Sequence, residues 1–296
     1  MQQVMNFIDQ VSRYQYLQNA LIAAILVGII CGVIGCFIIL RGMALMGDAI
    51  SHAVLPGVVI AYMVGASFFV GAVITGVLTA LGIGFISQNS RIKDDSAIGI
   101  MFTAAFALGI VLNSSLKGTS VDLWHILFGN VLAVSRTDLW ITLGMGIFVI
   151  SVIIIFYRPL LLSTFDPIMA KATGLPVKFI HYMLMLLLSL VTVASLQTVG
   201  IILVVAMLIT PGATAYLLTD RLSTMLVLAA TFGVISGVVG LYYSVLFDVS
   251  SGSTIVLVAS LLFGLAFFFS PKQGLVWRSL RTYTENRKST ELEGEK

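Results

Sequence analysis

No glutamate precedes Glu285 in this 296-residue chain, which holds only 13 acidic and 16 basic residues in all. Charge this sparse excludes an ordinary soluble domain. The scarcity of carboxylates also argues against a metal–proton antiporter, because proton-coupled transporters need relays of intramembrane acids. Two cysteines occur, Cys31 and Cys36. Five residues apart on a helix, they point about 140° away from each other, which suits small-residue packing and not a shared metal or redox site. No GxxxxGK[ST] stretch is present, so any ATP must be hydrolysed by another chain, and no HExxH helix is present to support an intramembrane metalloprotease. The net charge of +3 gives no reason to expect a nucleic-acid partner.

Hydrophobic residues make up 59% of the chain and the mean hydropathy is +1.07. One core could not hide that much apolar surface. The chain reads as an all-α polytopic transmembrane bundle of about eight to nine spans, and the apolar runs place nine at 20–40, 43–65, 68–88, 97–113, 136–157, 178–197, 199–219, 223–246 and 253–270. Residues 1–277 form the transmembrane domain and 278–296 a charged cytoplasmic tail. The first run is preceded by no basic n-region or small-residue cleavage site, so no removable signal peptide is expected.

Basic residues orient the bundle with its start outside and its end inside. Arg41, Arg91, Lys93, Arg158, Lys171, Lys178, Arg221 and the tail bases then lie in the cytoplasm, leaving Arg13, Lys117 and Arg136 outside. Ser114–Asn130 is too polar for a span yet carries Trp124, Ile126, Leu127 and Phe128, and reads as a short outer-face or re-entrant helix. His125 within it, and His181 beside Lys178, read as packed or interfacial histidines. Small residues recur in GIICGVIG, Gly28–Gly35, and GVISGVVG, Gly233–Gly240, a spacing that lets helix backbones approach closely. A Pro-Gly pair interrupts two spans, in LPGVVIAY (Leu55–Tyr62) and TPGATAY (Thr210–Tyr216). It is either a coincidence or a broken-helix pair of the kind that marks transporter sites.

Two stretches carry chemistry. In MALMGDAISHAVLPG, Met43–Gly57, Asp48 and His52 are four residues apart, so a helix sets them on one face, one turn and about 6 Å apart. A carboxylate at a bilayer centre costs roughly 2.5–3.5 kcal/mol on insertion scales, and something must offset it. Carboxylate with imidazole suits manganese, iron or zinc. Ser51 offers a hydroxyl on a neighbouring face, and Met43 and Met46 offer thioethers one turn below. The alternative is that Asp48 caps the second span and His52 packs on it. Two donors are too few for a transition metal, and a two-fold dimer would double them on its axis. The second stretch is Tyr157–Tyr182, the longest inner connection. Asp166-Pro167 opens a short amphipathic helix and Gly174 with Pro176 closes it, giving either a membrane-surface helix or a docking element for a soluble protein.

The run LRGMALMGDAISHAVLPGVVIAYMVG, Leu40–Gly65, closely resembles the membrane permease of bacterial ATP-binding-cassette importers for manganese and zinc, the ABC-3 family. DLWHILFGN (Asp122–Asn130), FDPIMAKATGLP (Phe165–Pro176) and QTVGIILVVAMLITPGATA (Gln197–Ala215) are similar to that family's later blocks. The resemblance implies a type II ABC importer-like permease in a bacterial plasma membrane, surrounded by lipid and with no resident cofactor. Its partners would be a second copy of itself, a cytoplasmic ABC ATPase dimer and an extracytoplasmic solute-binding lipoprotein. It implies that Asp48 and His52 are transient pore ligands for manganese, or for zinc or iron. It also implies a coupling helix at about 163–175, with Phe165, Asp166, Ile168, Met169 and Gly174 facing the ATPase.

The basic bias makes a direct prediction about orientation: a cysteine introduced after Lys296 should resist an impermeant thiol reagent in intact cells and react once the membrane is opened. Labelling in intact cells would invert the topology.

Overall fold

A computed structural model of the chain describes residues 2–115 and 131–270. The expected helix at Ser114–Asn130, with His125, and the domain boundary at residue 277 therefore lie outside the described residues, apart from the first two positions of that segment. An N-terminal helix α1 (Gln2–Arg13) leads into α2 (Gln15–Leu40). The second span is divided into α3 (Met46–Ala53) and α4 (Leu55–Val64). Then come α5 (Phe68–Asn89), α6 (Asp94–Ser114), a 3₁₀ turn at Val131–Ala133 and α7 (Arg136–Ile155). Two short helices, α8 (Tyr157–Phe165) and α9 (Pro167–Ala172), precede α10 (Val177–Val199), α11 (Ile201–Leu218), α12 (Leu222–Phe247) and α13 (Ser251–Phe269). Among the described residues nine segments, with α3 and α4 counted as one, are long and apolar enough to cross a membrane. They coincide with the nine read from the sequence.

The break in the second span has a local cause. Pro56 has no N–H to give to the carbonyl one turn back, and the helix restarts with Pro56 in its first turn. The second Pro-Gly pair behaves differently: Pro211 sits inside an unbroken α11, and Gly212 packs on the backbone of Gly35. The echo is thus not a pair of broken helices, because one proline falls at a helix start and the other is absorbed in a helix interior.

The two glycine-rich runs are each other's partners. A Cβ on Gly28 would lie 2.7 Å from the Gly233 carbonyl, one on Gly32 would lie 2.7 Å from the Ala229 carbonyl, and one on Gly237 would lie 3.1 Å from Ala24. The pairing runs in opposite directions, as antiparallel α2 and α12 require. Around this pair sit α11 and α13, while α10 joins α2 to α5 and α7, and α3 and α4 lean on α5 and α6. Cys31 and Cys36 are free and buried, Cys31 beside Ser195 at 3.6 Å and Cys36 on the backbone of Gly32 at 3.3 Å, in keeping with a packing role.

Side-chain contacts sort the connections onto two faces. On one, Asn19 donates to the Val134 carbonyl at 3.3 Å and Arg136 donates to Gln15 at 2.7 Å. On the other, Arg41 reaches α8, and Ser270 donates to the Leu217 carbonyl at 2.5 Å. These are the groupings that the basic residues require, with Arg136 on one side and Arg41, Arg158 and Arg221 on the other.

Backbone contact on α2 leaves no room for added carbon. Gly28→Ala should lower the unfolding temperature of the detergent-solubilised protein, since overpacking costs about 1–3 kcal/mol. Gly264→Ala, where nothing lies within 4 Å, should be neutral or stabilising. Equal melting temperatures for the two variants would reject the seam as a determinant of stability.

Candidate metal site and coupling surface

Asp48 is the third residue of α3, and the helix is capped by the Leu45 backbone position with no side-chain cap bond. The capping role weighed above is therefore not the one Asp48 plays. Its carboxylate instead meets His52, with Oδ1 and Nε2 separated by 3.4 Å. Both side chains keep contact with open space, at 44% exposure for Asp48 and 28% for His52. The rest of the His52 ring is enclosed. Phe102 and Phe106 of α6 each bring a ring centroid within 5.6 Å of it, and its Nδ1 is buried without a hydrogen-bond partner.

This arrangement leaves Nε2 and the carboxylate as the accessible donors. Together they present a nitrogen lone pair and a carboxylate charge, donor types that suit a divalent transition metal. The two rings of α6 restrict how far the imidazole can swing away. Among the described residues no group of three or more His, Cys, Asp or Glu gathers at one point, so these two are the donors of those types that the described residues bring together here.

Three further donors suggested by the sequence do not join them. Met43 and Met46 are packed in the core at 1% and 0% exposure. Ser51 is equally buried and its hydroxyl donates to the Gly47 carbonyl at 2.9 Å. Helical spacing gives the angle of a side chain about its own axis, and it is silent on which faces the neighbouring helices cover. Phe102 and Phe106 were missed for the complementary reason. Their i, i+4 spacing in MFTAAF was visible, but not that α6 would lie against α3.

The inner connection forms the short helix that Asp166-Pro167 announces. The Asp166 carboxylate accepts the Met169 N–H at 2.8 Å. Gly174 adopts φ +81°, and the bonds from its N–H to Lys171 and from the Leu175 N–H to Ala170 complete a six-residue Schellman stop. Phe165, Ile168 and Met169 project outward, Ile168 at 82% exposure, and Phe179 of α10, which the sequence did not single out, is exposed as well.

His181 is buried, as read, but it is not merely packed: its Nδ1 lies 3.4 Å from Arg41 Nη1. Arg41, counted above only for its charge, also donates to Ser163 at 2.9 Å and to Thr164 at 3.3 Å. Burial lowers its pKa from the ordinary arginine value, and the charge of Asp94 works against that shift.

Nine candidate membrane helices among the described residues, with a half-exposed carboxylate–imidazole pair on a broken span and a compact apolar knob between two other spans, define a polytopic membrane protein. The chain belongs to the ABC 3 transport family, whose pattern matches residues 13–270. It is 78% identical over 278 residues to the manganese transport system membrane protein MntC of Halalkalibacterium halodurans, covering 93% of this chain and 95% of that one. It is 61% identical to the MntC of Listeria monocytogenes over 281 residues, covering 95% of this chain and 100% of that one. Among solved structures, a chain of PsaBC from Streptococcus pneumoniae in complex with Fab superposes with a TM-score of 0.81 at 53% identity, covering 91% of this chain and 97% of that one. The protein is accordingly the plasma-membrane permease subunit of an ABC transporter, and ATP hydrolysis resides in a separate subunit.

Proposed function

We propose that this subunit imports manganese, that two copies of it form the pathway, and that Asp48 and His52 of each copy hold the metal in passing. The observation that carries this reading is the 3.4 Å Asp48–His52 pair, open to space on one side and walled by Phe102 and Phe106 on the other. A lone pair of donors is incomplete for a transition metal, and a second copy supplies the same two again across a two-fold axis. Manganese is favoured because relatives that match nearly the whole chain are named as manganese permeases. The donor set itself also accepts zinc and iron, and zinc would bind more tightly. Selection then falls to an extracytoplasmic solute-binding lipoprotein that delivers the metal.

Phe165, Ile168 and Met169 are the docking knob for the ATPase dimer, with Asp166 and Gly174 fixing the two ends of the helix that presents them. An apolar tip of this size fits a groove on a soluble partner in the way short amphipathic helices do.

Two outcomes test these assignments. Removing even the outer-shell partner of a metal ligand costs about 10–100-fold in affinity or activity, so Asp48→Asn and His52→Ala should each lower manganese uptake at least tenfold at unchanged membrane levels. Uptake of manganese, iron and zinc, measured in parallel, also decides the cargo. Near-normal manganese uptake by Asp48→Asn would reject the ligand role. For the knob, Phe165→Asp with Met169→Asp should strip the ATPase subunit from the purified permease, and co-purification of the partner with metal-stimulated hydrolysis intact would reject the docking assignment.

A further inference from the structure

Among the described side chains, Arg41 is the one that ties the knob-bearing segment to the link entering the broken second span through charged hydrogen bonds. It follows the last residue of α2 and begins the five-residue link, Arg41–Leu45, that leads into α3. Its guanidinium is divided between two other elements. Nε donates to Thr164 Oγ1 at 3.3 Å and Nη2 to Ser163 Oγ at 2.9 Å, both on α8, while Nη1 faces His181 Nδ1 on α10 at 3.4 Å. A guanidinium only donates, so Nδ1 of His181 accepts and the ring proton lies on Nε2, which is buried with no partner of its own. Asp94, the first residue of α6, adds its charge to the same junction, and α6 is the helix whose Phe102 and Phe106 enclose His52.

We propose that Arg41 is the positioning residue that transmits movement of the docking knob to the metal half-site. The inference rests on the coupling role given above to Phe165, Ile168 and Met169. Its physical basis is the rigidity of the fork. Ser163 and Thr164 stand immediately before Phe165, so any displacement of the knob moves the acceptors of the Arg41 bonds. Ser163 and His181 are buried; Ser163 would keep its bond to the Leu160 carbonyl, but pulling the guanidinium away would leave the His181 ring and the guanidinium itself short of partners in an apolar surround. The link to α3 therefore follows α8, and Asp48 follows the link. A lysine could keep the charge but could not reach acceptors on α8 and α10 with one planar group.

The test uses the permease with its ATPase partner in proteoliposomes and reads the ratio of manganese imported to ATP hydrolysed. Coupling between sites typically amounts to about 5- to 150-fold, so Arg41→Gln should keep partner and hydrolysis while the ratio falls at least fivefold. Arg41→Lys should fall in the same direction. Ser163→Ala with Thr164→Val, which preserves volume, should lower the ratio too, and adding Arg41→Gln to that pair should lower it little further. A merely structural arginine predicts less assembled complex with an unchanged ratio in what remains. If Arg41→Gln does not assemble, the Ser163/Thr164 pair decides alone. A wild-type ratio in that pair, with the Phe165/Met169 variant losing its partner as expected, overturns the Arg41 proposal and leaves the docking assignment standing. Retention of the ATPase by the Phe165/Met169 variant overturns the docking assignment and the Arg41 proposal with it.

Discussion

Lipid gives helices no hydrophobic reason to associate, since a leucine is as comfortable against an acyl chain as against another leucine. What holds this bundle together is close backbone approach, and the seam between Gly28 and Gly233 is its clearest case. Contact at that distance multiplies weak dispersion attractions that a larger side chain would hold apart. The same device fixes α4 to α5, where Gly57 and Gly71 each lie against the other's carbonyl, and α2 to α11, where Gly35 meets the Leu208 carbonyl. The broken second span can afford to end its first helix at Ala53 because its second half is clamped in this way.

With packing handled by small residues, polar groups inside the bundle fall into two kinds. Most hydroxyls bond back to their own helix: Thr192 to Leu188, Thr214 to Thr210 and Ser236 to Phe232 at 2.7–2.8 Å. These are silent, neither binding nor bridging. Others reach between elements, as Asn19 does to the Val134 carbonyl and Thr142 to the Ala194 carbonyl, and the ionisable side chains among the exceptions include two groups: Asp48 with His52, and Arg41 with Ser163, Thr164 and His181. In a chain so poor in charge, an ionisable side chain held among apolar helices is a candidate for another task.

The sequence made some of this legible and hid the rest for identifiable reasons. Span positions were readable because crossing a bilayer demands a fixed length of apolar residues, and local rules placed the Asp166 cap and the Gly174 stop. Asp48 and His52 were paired correctly because four residues on a helix fix a geometry by themselves. Long-range facts were not readable. Met43, Met46 and Ser51 had the right chemistry at the right spacing, yet their faces are covered by other helices. Arg41 and His181 are separated by 140 residues, and nothing local to either predicts that they meet.

A half-site has a consequence that a complete site would not. A metal held by one chain with four donors could leave only if that chain rearranged its own ligands. In the proposed dimer, where each copy would contribute two donors from α3, affinity would depend on how closely the two copies face each other, so a small relative rotation would dismantle the site while neither protomer changes internally. Conduction needs binding strong enough to admit the ion and weak enough to release it. Splitting the donors across a symmetry axis, as the proposed function has it, would meet both demands with one motion, and the Arg41 fork lies where a movement imposed at Ile168 would reach the link that leads into α3.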